Sequence, residues 1–147
     1  MRVTILSVGH KMPAWIQEGF NEYTRRMPPE IRVELAELKP GKSKVDEGRS
    51  ILEALPEGST VLALDEHGKA VTTQGLSVML SEWMRDATYP CFVIGGADGL
   101  SDEVKQRAAK LVSLSSLTLP HQMVRVLLAE QLYRAWSILA RHPYHRE

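Results

Sequence analysis

A chain of 147 residues holds one domain with a single core, and 44% apolar against 24% charged residues excludes a disordered or fibrous protein. Eighteen basic and eighteen acidic side chains cancel, which excludes a protein that coats nucleic acid indiscriminately. The single cysteine, Cys91, excludes an internal disulfide, and no apolar run approaches the roughly 20 residues that a membrane span requires. Met1 to Val8 is too short and too strand-like for a signal peptide, so the expected location is the cytoplasm.

Arg2 to Val8, RVTILSV, is rich in β-branched and apolar residues and stops at Gly9, which predicts a buried strand. After the turn at residues 9–13, Pro13 suits the first turn of a helix that runs to about Arg26. Trp15, Ile16, Phe20 and Tyr23 fall on or near one face of it, and Pro28-Pro29 ends it. Ile31 to Leu38 alternates apolar and polar residues, as a strand with one wet face does near a sheet edge. Lys39-Pro40-Gly41-Lys42-Ser43-Lys44 is a basic loop, either a solvated connector or a contact for phosphate. Val45 to Leu55 reads as a short helix with Ile51, Leu52 and Leu55 inward.

Thr60 to Asp65 is a third apolar strand that ends in an acid. Asp65 either faces a ligand at the strand's carboxyl end or caps the turn Glu66-His67-Gly68. Thr73 to Arg85 is an amphipathic helix through Leu76, Met79, Leu80 and Trp83. Tyr89 to Ile94 is a fourth strand, running into three glycines within residues 95–99 and then a helix from Ser101 to Lys110 with Ser101 or Asp102 as its cap. Leu111 to Leu114 is a fifth strand. A loop to Pro120 precedes a last helix from about Gln122 to Ala140, with Val124, Leu127, Leu128, Leu132, Ala135, Trp136 and Leu139 as its apolar stripe. Strands alternating with helices predict an α/β fold, a mostly parallel sheet with helices on both faces.

The residue patterns remove several chemistries. No histidine pairs with a cysteine at metal-ligand spacing and no HExxH occurs, so no metal site is expected; there is neither a nucleophile elbow nor a GxxxxGK[ST] loop. What remains is a set of backbone-rich loops at strand ends, at residues 64–65, 95–99 and 114–119. They suit a cofactor held by main-chain hydrogen bonds, with Leu64, Leu114, Leu117 and Leu119 as apolar walls for a flat ring.

VIGGADGLS, SLSSLTLPHQMVRVLLAEQLYRAW, the terminal HPYHRE and SVGHKMPAWIQEGFNEYTRR near the start together resemble the SPOUT-class ribosomal RNA methyltransferases that modify N3 of a pseudouridine in large-subunit RNA. The resemblance runs from end to end. It implies a C-terminal half tied as a trefoil knot, S-adenosylmethionine as cofactor, a homodimer, and an assembled ribosome as substrate. Residue by residue it implies cofactor contacts at Leu64, Gly95, Leu114, Ser115, Ser116, Leu117, Thr118 and Leu119. It further implies a target site formed with Tyr144, His145 and Arg146, apparently across the dimer, with His121 and Arg134 near it.

His145 or His121 is the candidate base for the N3 proton, and Arg146 or Arg134 the candidate partner for developing charge or phosphate. Without the resemblance the same residues read more plainly: a solvated terminus, Tyr144 packed on the last helix, His121 as a helix cap, and Arg134 paired with Glu130 four residues earlier. Val124, Leu128 and Leu132 suit either a dimer seam or the chain's own core. A SPOUT enzyme for transfer RNA, or a binding module without activity on the same fold, are the competing readings.

Overall fold

The structure, a computed structural model, describes residues 1–146. Inside the sheet, one strand from its edge, lies β1 (Arg2–Val8), whose last six residues are buried because helices cover both faces. On one side β1 pairs in parallel with β2 (Arg32–Leu38), an edge strand whose burial is only partial, as its alternating pattern predicts. On the other it pairs with β4 (Pro90–Ile94), followed by β3 (Thr60–Ala70) and β5 (Lys110–Ser113), all parallel, in the order β2-β1-β4-β3-β5. All five carboxyl ends therefore share one edge, and every loop singled out above as ligand-facing lies there.

α1 (Ala14–Arg26), α3 (Thr73–Asp86) and α5 (His121–Leu139) cover one face, with α5 between the other two. Ile5, Phe20, Leu80, Phe92, Leu128 and Leu132 meet beneath them, each 4% exposed or less. α2 (Lys44–Ala54) and α4 (Asp102–Arg107) cover the other face over Leu6, Ile51, Val61, Val93 and Val104. Side-chain caps start three of the helices: Ser43 accepts from the Asp46 amide, Thr72 from Gly75 and Ser101 from Val104. A 3-10 turn at Pro143–Arg146 ends the described chain.

Four expectations need correcting. Trp15 does not join the inward face of α1 but stands 64% exposed, one position off the stripe of Ile16 and Phe20. α4 stops at Arg107 rather than Lys110, because Ala108 turns extended and the Ala109 amide is taken by the Val61 carbonyl of β3 at 2.8 Å. β3 does not end at Asp65: its register breaks between Leu64 and Lys69, both opposite Val112, and the strand then resumes to Ala70. Leu128 and Leu132 are completely buried in the chain's own core, so they cannot form a seam between copies.

Candidate active site

A cavity of about 440 Å³ opens at the carboxyl ends of β3, β4 and β5. Its floor is the turn at residues 95–99. The turn is tight because the Gly99 amide donates to the Gly96 carbonyl at 3.0 Å while Gly99 holds φ +80. Gly95 is glycine for the same reason: a Cβ there would stand 2.7 Å from the Gly99 carbonyl oxygen. The turn folding on itself, rather than a ligand approaching, is what requires that glycine.

Leu64, Ile94, Leu114, Leu117, Leu119 and Val124 supply the apolar walls. Of the expected cofactor residues, Leu64, Gly95, Leu114, Ser115, Leu117, Thr118 and Leu119 line the cavity, whereas Ser116 does not. The loop after β5 is held by its own serines: Ser113 donates to the Ser115 carbonyl at 2.9 Å, and Ser115 Oγ accepts from the Leu117 amide at 2.9 Å. Leu117 is left 71% exposed at the rim.

Asp65 caps the turn and also lines the cavity. Its Oδ1 accepts from the His67 amide at 2.8 Å, an Asx turn, and its Oδ2 pairs with Lys105 Nζ at 2.9 Å while the residue lines the cavity. The His67 amide foremost, and then Lys105, hold its carboxyl below the usual range against the opposing effect of burial. Lys105 itself carries no sequence signal beyond helical spacing.

His121, the first residue of α5, stands half-buried in the lining of the cavity. Burial, then the nearby Arg125 and His10, hold its pKa below the ordinary 6.5, so its ring is neutral at pH 7. Arg125, one turn on, is completely buried. Its Nε donates to Ser7 Oγ at 2.9 Å and its Nη1 to Glu37 at 2.7 Å, which ties α5 to the carboxyl ends of β1 and β2. Its Nη2 has no hydrogen-bond partner among the described residues. A Cβ on Gly9 would lie 3.2 Å from both that Nη2 and His121 Nε2, so the two nitrogens converge above Gly9. Sequence reading missed Arg125, although His121, Arg125, Leu128, Leu132 and Ala135 repeat at steps of four and three, the spacing of one inward line.

The remaining candidates gather elsewhere. Tyr144 is only 8% exposed: its hydroxyl donates to Glu130 Oε2 at 2.8 Å and its ring lies 4.6 Å from Tyr133, with Tyr23 edge-on at 6.5 Å. Burial and Glu130 push its phenol up, out of reach of a role as base. Arg134 is paired with Glu130 at 2.7 Å and stacks 4.8 Å over the Tyr144 ring. Tyr144 thus anchors the tail, and His145 and Arg146 follow it toward solvent, half-buried and exposed. His145 Nδ1 lies 2.6 Å from the His142 carbonyl, which can only accept. The proton is therefore on Nδ1 in the neutral ring, and Nε2 carries the free lone pair.

Within one chain the described tail residues Tyr144, His145 and Arg146 do not line the cavity. Glu130 lies nine residues beyond His121 on α5, about 13 Å along the axis at ~1.5 Å per residue.

The family described as "Predicted SPOUT methyltransferase" matches residues 1–145. The chain belongs to the SPOUT methyltransferases. Among curated SPOUT relatives, "Ribosomal RNA large subunit methyltransferase H" of Herminiimonas arsenicoxydans is 54% identical, and its namesake in Burkholderia ambifaria is 56% identical; each match covers 99% of this chain and 99% of the relative. A solved structure of the SpoU methyltransferase AviRb from Streptomyces viridochromogenes in complex with AdoMet aligns at 13% identity with a TM-score of 0.48, over 89% of this chain and 56% of that one.

S-adenosylmethionine is the methyl donor that SPOUT membership brings. The cavity fits it: the volume suits a ligand of that size, the walls suit an adenine ring, and the polar rim of main chain, Asp65 and Lys105 suits the charged end. Among the described residues no three His, Cys, Asp or Glu side chains gather as a metal site, and no helix is long and apolar enough to cross a membrane.

Proposed function

We propose that this chain methylates N3 of a pseudouridine in large-subunit ribosomal RNA, working in the cytoplasm as a homodimer on the assembled ribosome. The observation that carries the substrate is identity of 54% and 56%, from end to end, with proteins named for methylation of large-subunit ribosomal RNA. A homodimer is supported by the separation just described, since cavity and tail stand apart along α5 and a second copy supplies the missing half of each.

In this reading Leu64, Gly95, Leu114, Ser115, Leu117, Thr118 and Leu119 hold S-adenosylmethionine, and Ser116, outside the lining, is a spacer in the loop. Bound there, it supplies an electrophilic methyl group. The protein itself has to bring the target nitrogen to that group, remove water and take up the N3 proton. His145 suits the proton because its Nδ1 is engaged by the His142 carbonyl and its Nε2 carries the lone pair; His121, neutral in the cavity lining, is the alternative. Arg146 offers a charged donor to ring oxygens or phosphate, and Arg134 and Tyr144 hold the tail that carries it.

The decisive experiment is transfer of labelled methyl to purified ribosomes lacking this modification, beside separated large subunits, naked RNA and transfer RNA. Label on one pseudouridine of intact ribosomes is the expected result. Label on transfer RNA moves the assignment to that substrate class, and ribosome binding without transfer makes the chain a binding module.

A further inference from the structure

The chain is neutral overall, yet its cations are not distributed alike. Away from the cavity Arg25 and Arg26 are engaged by Glu22, Arg85 by Asp86, and Arg2 and Arg32 by Glu34, whereas Arg107 and Lys110 at the amino end of β5 form no ion pair among the described residues. At the carboxyl edge four acids are engaged, Glu37 by Arg125, Glu47 by the Gly41 amide, Asp46 by Arg49 and Asp65 by Lys105, while Asp98 stays exposed in the cavity lining. Lys11, Lys39, Lys42 and Lys44 are exposed at the same edge, and among the described residues none forms an ion pair.

The two loops that carry these four lysines are neighbours by construction. The loops after β1 and β2 leave adjacent strands in register, Val8 opposite Leu38, and the Gly9 amide donates to the Leu38 carbonyl at 3.0 Å. Lys39 follows that carbonyl directly, and Lys44 reaches the lining of the cavity. The loop that carries three of them is also shaped rather than slack: Glu47 is 9% exposed and accepts from the Gly41 amide at 3.0 Å, and Ser43 caps α2. Lys42 and Lys44 flank that cap, where the helix dipole disfavours a cation, so stability does not account for them.

We propose that Lys11, Lys39, Lys42 and Lys44 form a phosphate-contacting rim that lays the RNA backbone beside the cavity, so that the basic loop is substrate surface rather than connector. This rests on the ribosomal RNA reading above. Local cations of this kind explain how a chain with no net charge grips a polyanion at one place only. A lysine rim reads no sequence; it fixes orientation while other contacts choose the base.

The test is the salt dependence of binding to purified ribosomes by Lys39→Ala/Lys42→Ala, beside Arg107→Ala/Lys110→Ala, which removes the same charge from unpaired cations at the amino end of β5. The rim predicts binding weaker by about tenfold at roughly 0.1 M salt, and a log affinity against log salt slope shallower by roughly one to two, for the first pair only. Equal behaviour of the two pairs overturns it, as does weaker binding with an unchanged slope, which signals a contact other than phosphate. S-adenosylmethionine affinity, measured by calorimetry, stays at the wild-type value in the first pair; a parallel fall shows a disturbed fold and also overturns the rim. Wild-type protein that binds neither ribosomes nor ribosomal RNA defeats the substrate reading itself, an outcome distinct from all of these.

Discussion

The cavity at the sheet edge and the tail at the far end of α5 are built from opposite materials. The cavity is main chain and apolar wall, shaped by turns at residues 95–99 and 114–119 that close on themselves. The tail is side chain, a stack of Tyr133, Tyr144 and Arg134 gathered on Glu130, from which two polar residues project. The two constructions suit different work. A rigid backbone cup suits selection of a cofactor by shape, whereas projecting residues such as His145 and Arg146 suit contact with a substrate that arrives from outside. Mutations in the two regions should therefore fail in different ways.

The largest effect is expected at Arg146. Arg146→Ala should lower single-turnover methyl transfer by about a hundredfold or more, as loss of a charged donor at a reacting centre does, and leave S-adenosylmethionine affinity unchanged by calorimetry. Full turnover in both Arg146→Ala and His145→Ala would remove the tail from the chemistry. Gly95→Ala should do the reverse. Its Cβ would meet the Gly99 carbonyl at 2.7 Å, so the turn must open; we expect a loss of about 1–3 kcal/mol in stability, as overpacking costs, and cofactor binding about tenfold weaker. Mixing the two inactive variants sharpens the comparison further. Partial recovery of activity is expected if the halves meet across a dimer, and none if each copy works alone.

A smaller effect is expected at Tyr144→Phe, which keeps the ring stack and removes only the 2.8 Å hydrogen bond to Glu130. Because Glu130 retains Arg134, the cost is about 1 kcal/mol, read as a lower melting temperature with transfer reduced severalfold. A loss as large as that of Arg146→Ala would mean that the hydroxyl touches substrate and that Tyr144 is more than an anchor.

How far the sequence carries differs between the same two regions. The cavity was legible, because Gly95, Leu64 and the loop at Leu114 to Leu119 stand at strand ends and a parallel sheet puts all such ends on one edge. Strand order was not, since every crossover of a parallel sheet is a helix and the pattern is silent on which neighbour the chain returns to. For the tail, the alternatives of a packed Tyr144 and an Arg134–Glu130 pair are what the structure contains. Arg125 went unread because an arginine is normally a surface residue, although its place on the inward line of α5 marked it. Asp65 could not be decided from sequence because both uses coexist.

The smallest expected effect is on stability against pH, and it tests His121. Burial depresses His121 first, with Arg125 and His10 adding to it, so the folded chain binds a proton there less readily than the unfolded chain does. The contribution is fully present above the unfolded value of 6.5 and is lost as pH falls below it, through the depressed folded value. His121→Gln should therefore flatten the decline of unfolding free energy below pH 6.5, measured by denaturant titration at several pH values. If His121→Gln leaves it as steep as in the wild type, the neutral ring in the lining of the cavity is not enforced by its surroundings, and His145 alone remains as the base.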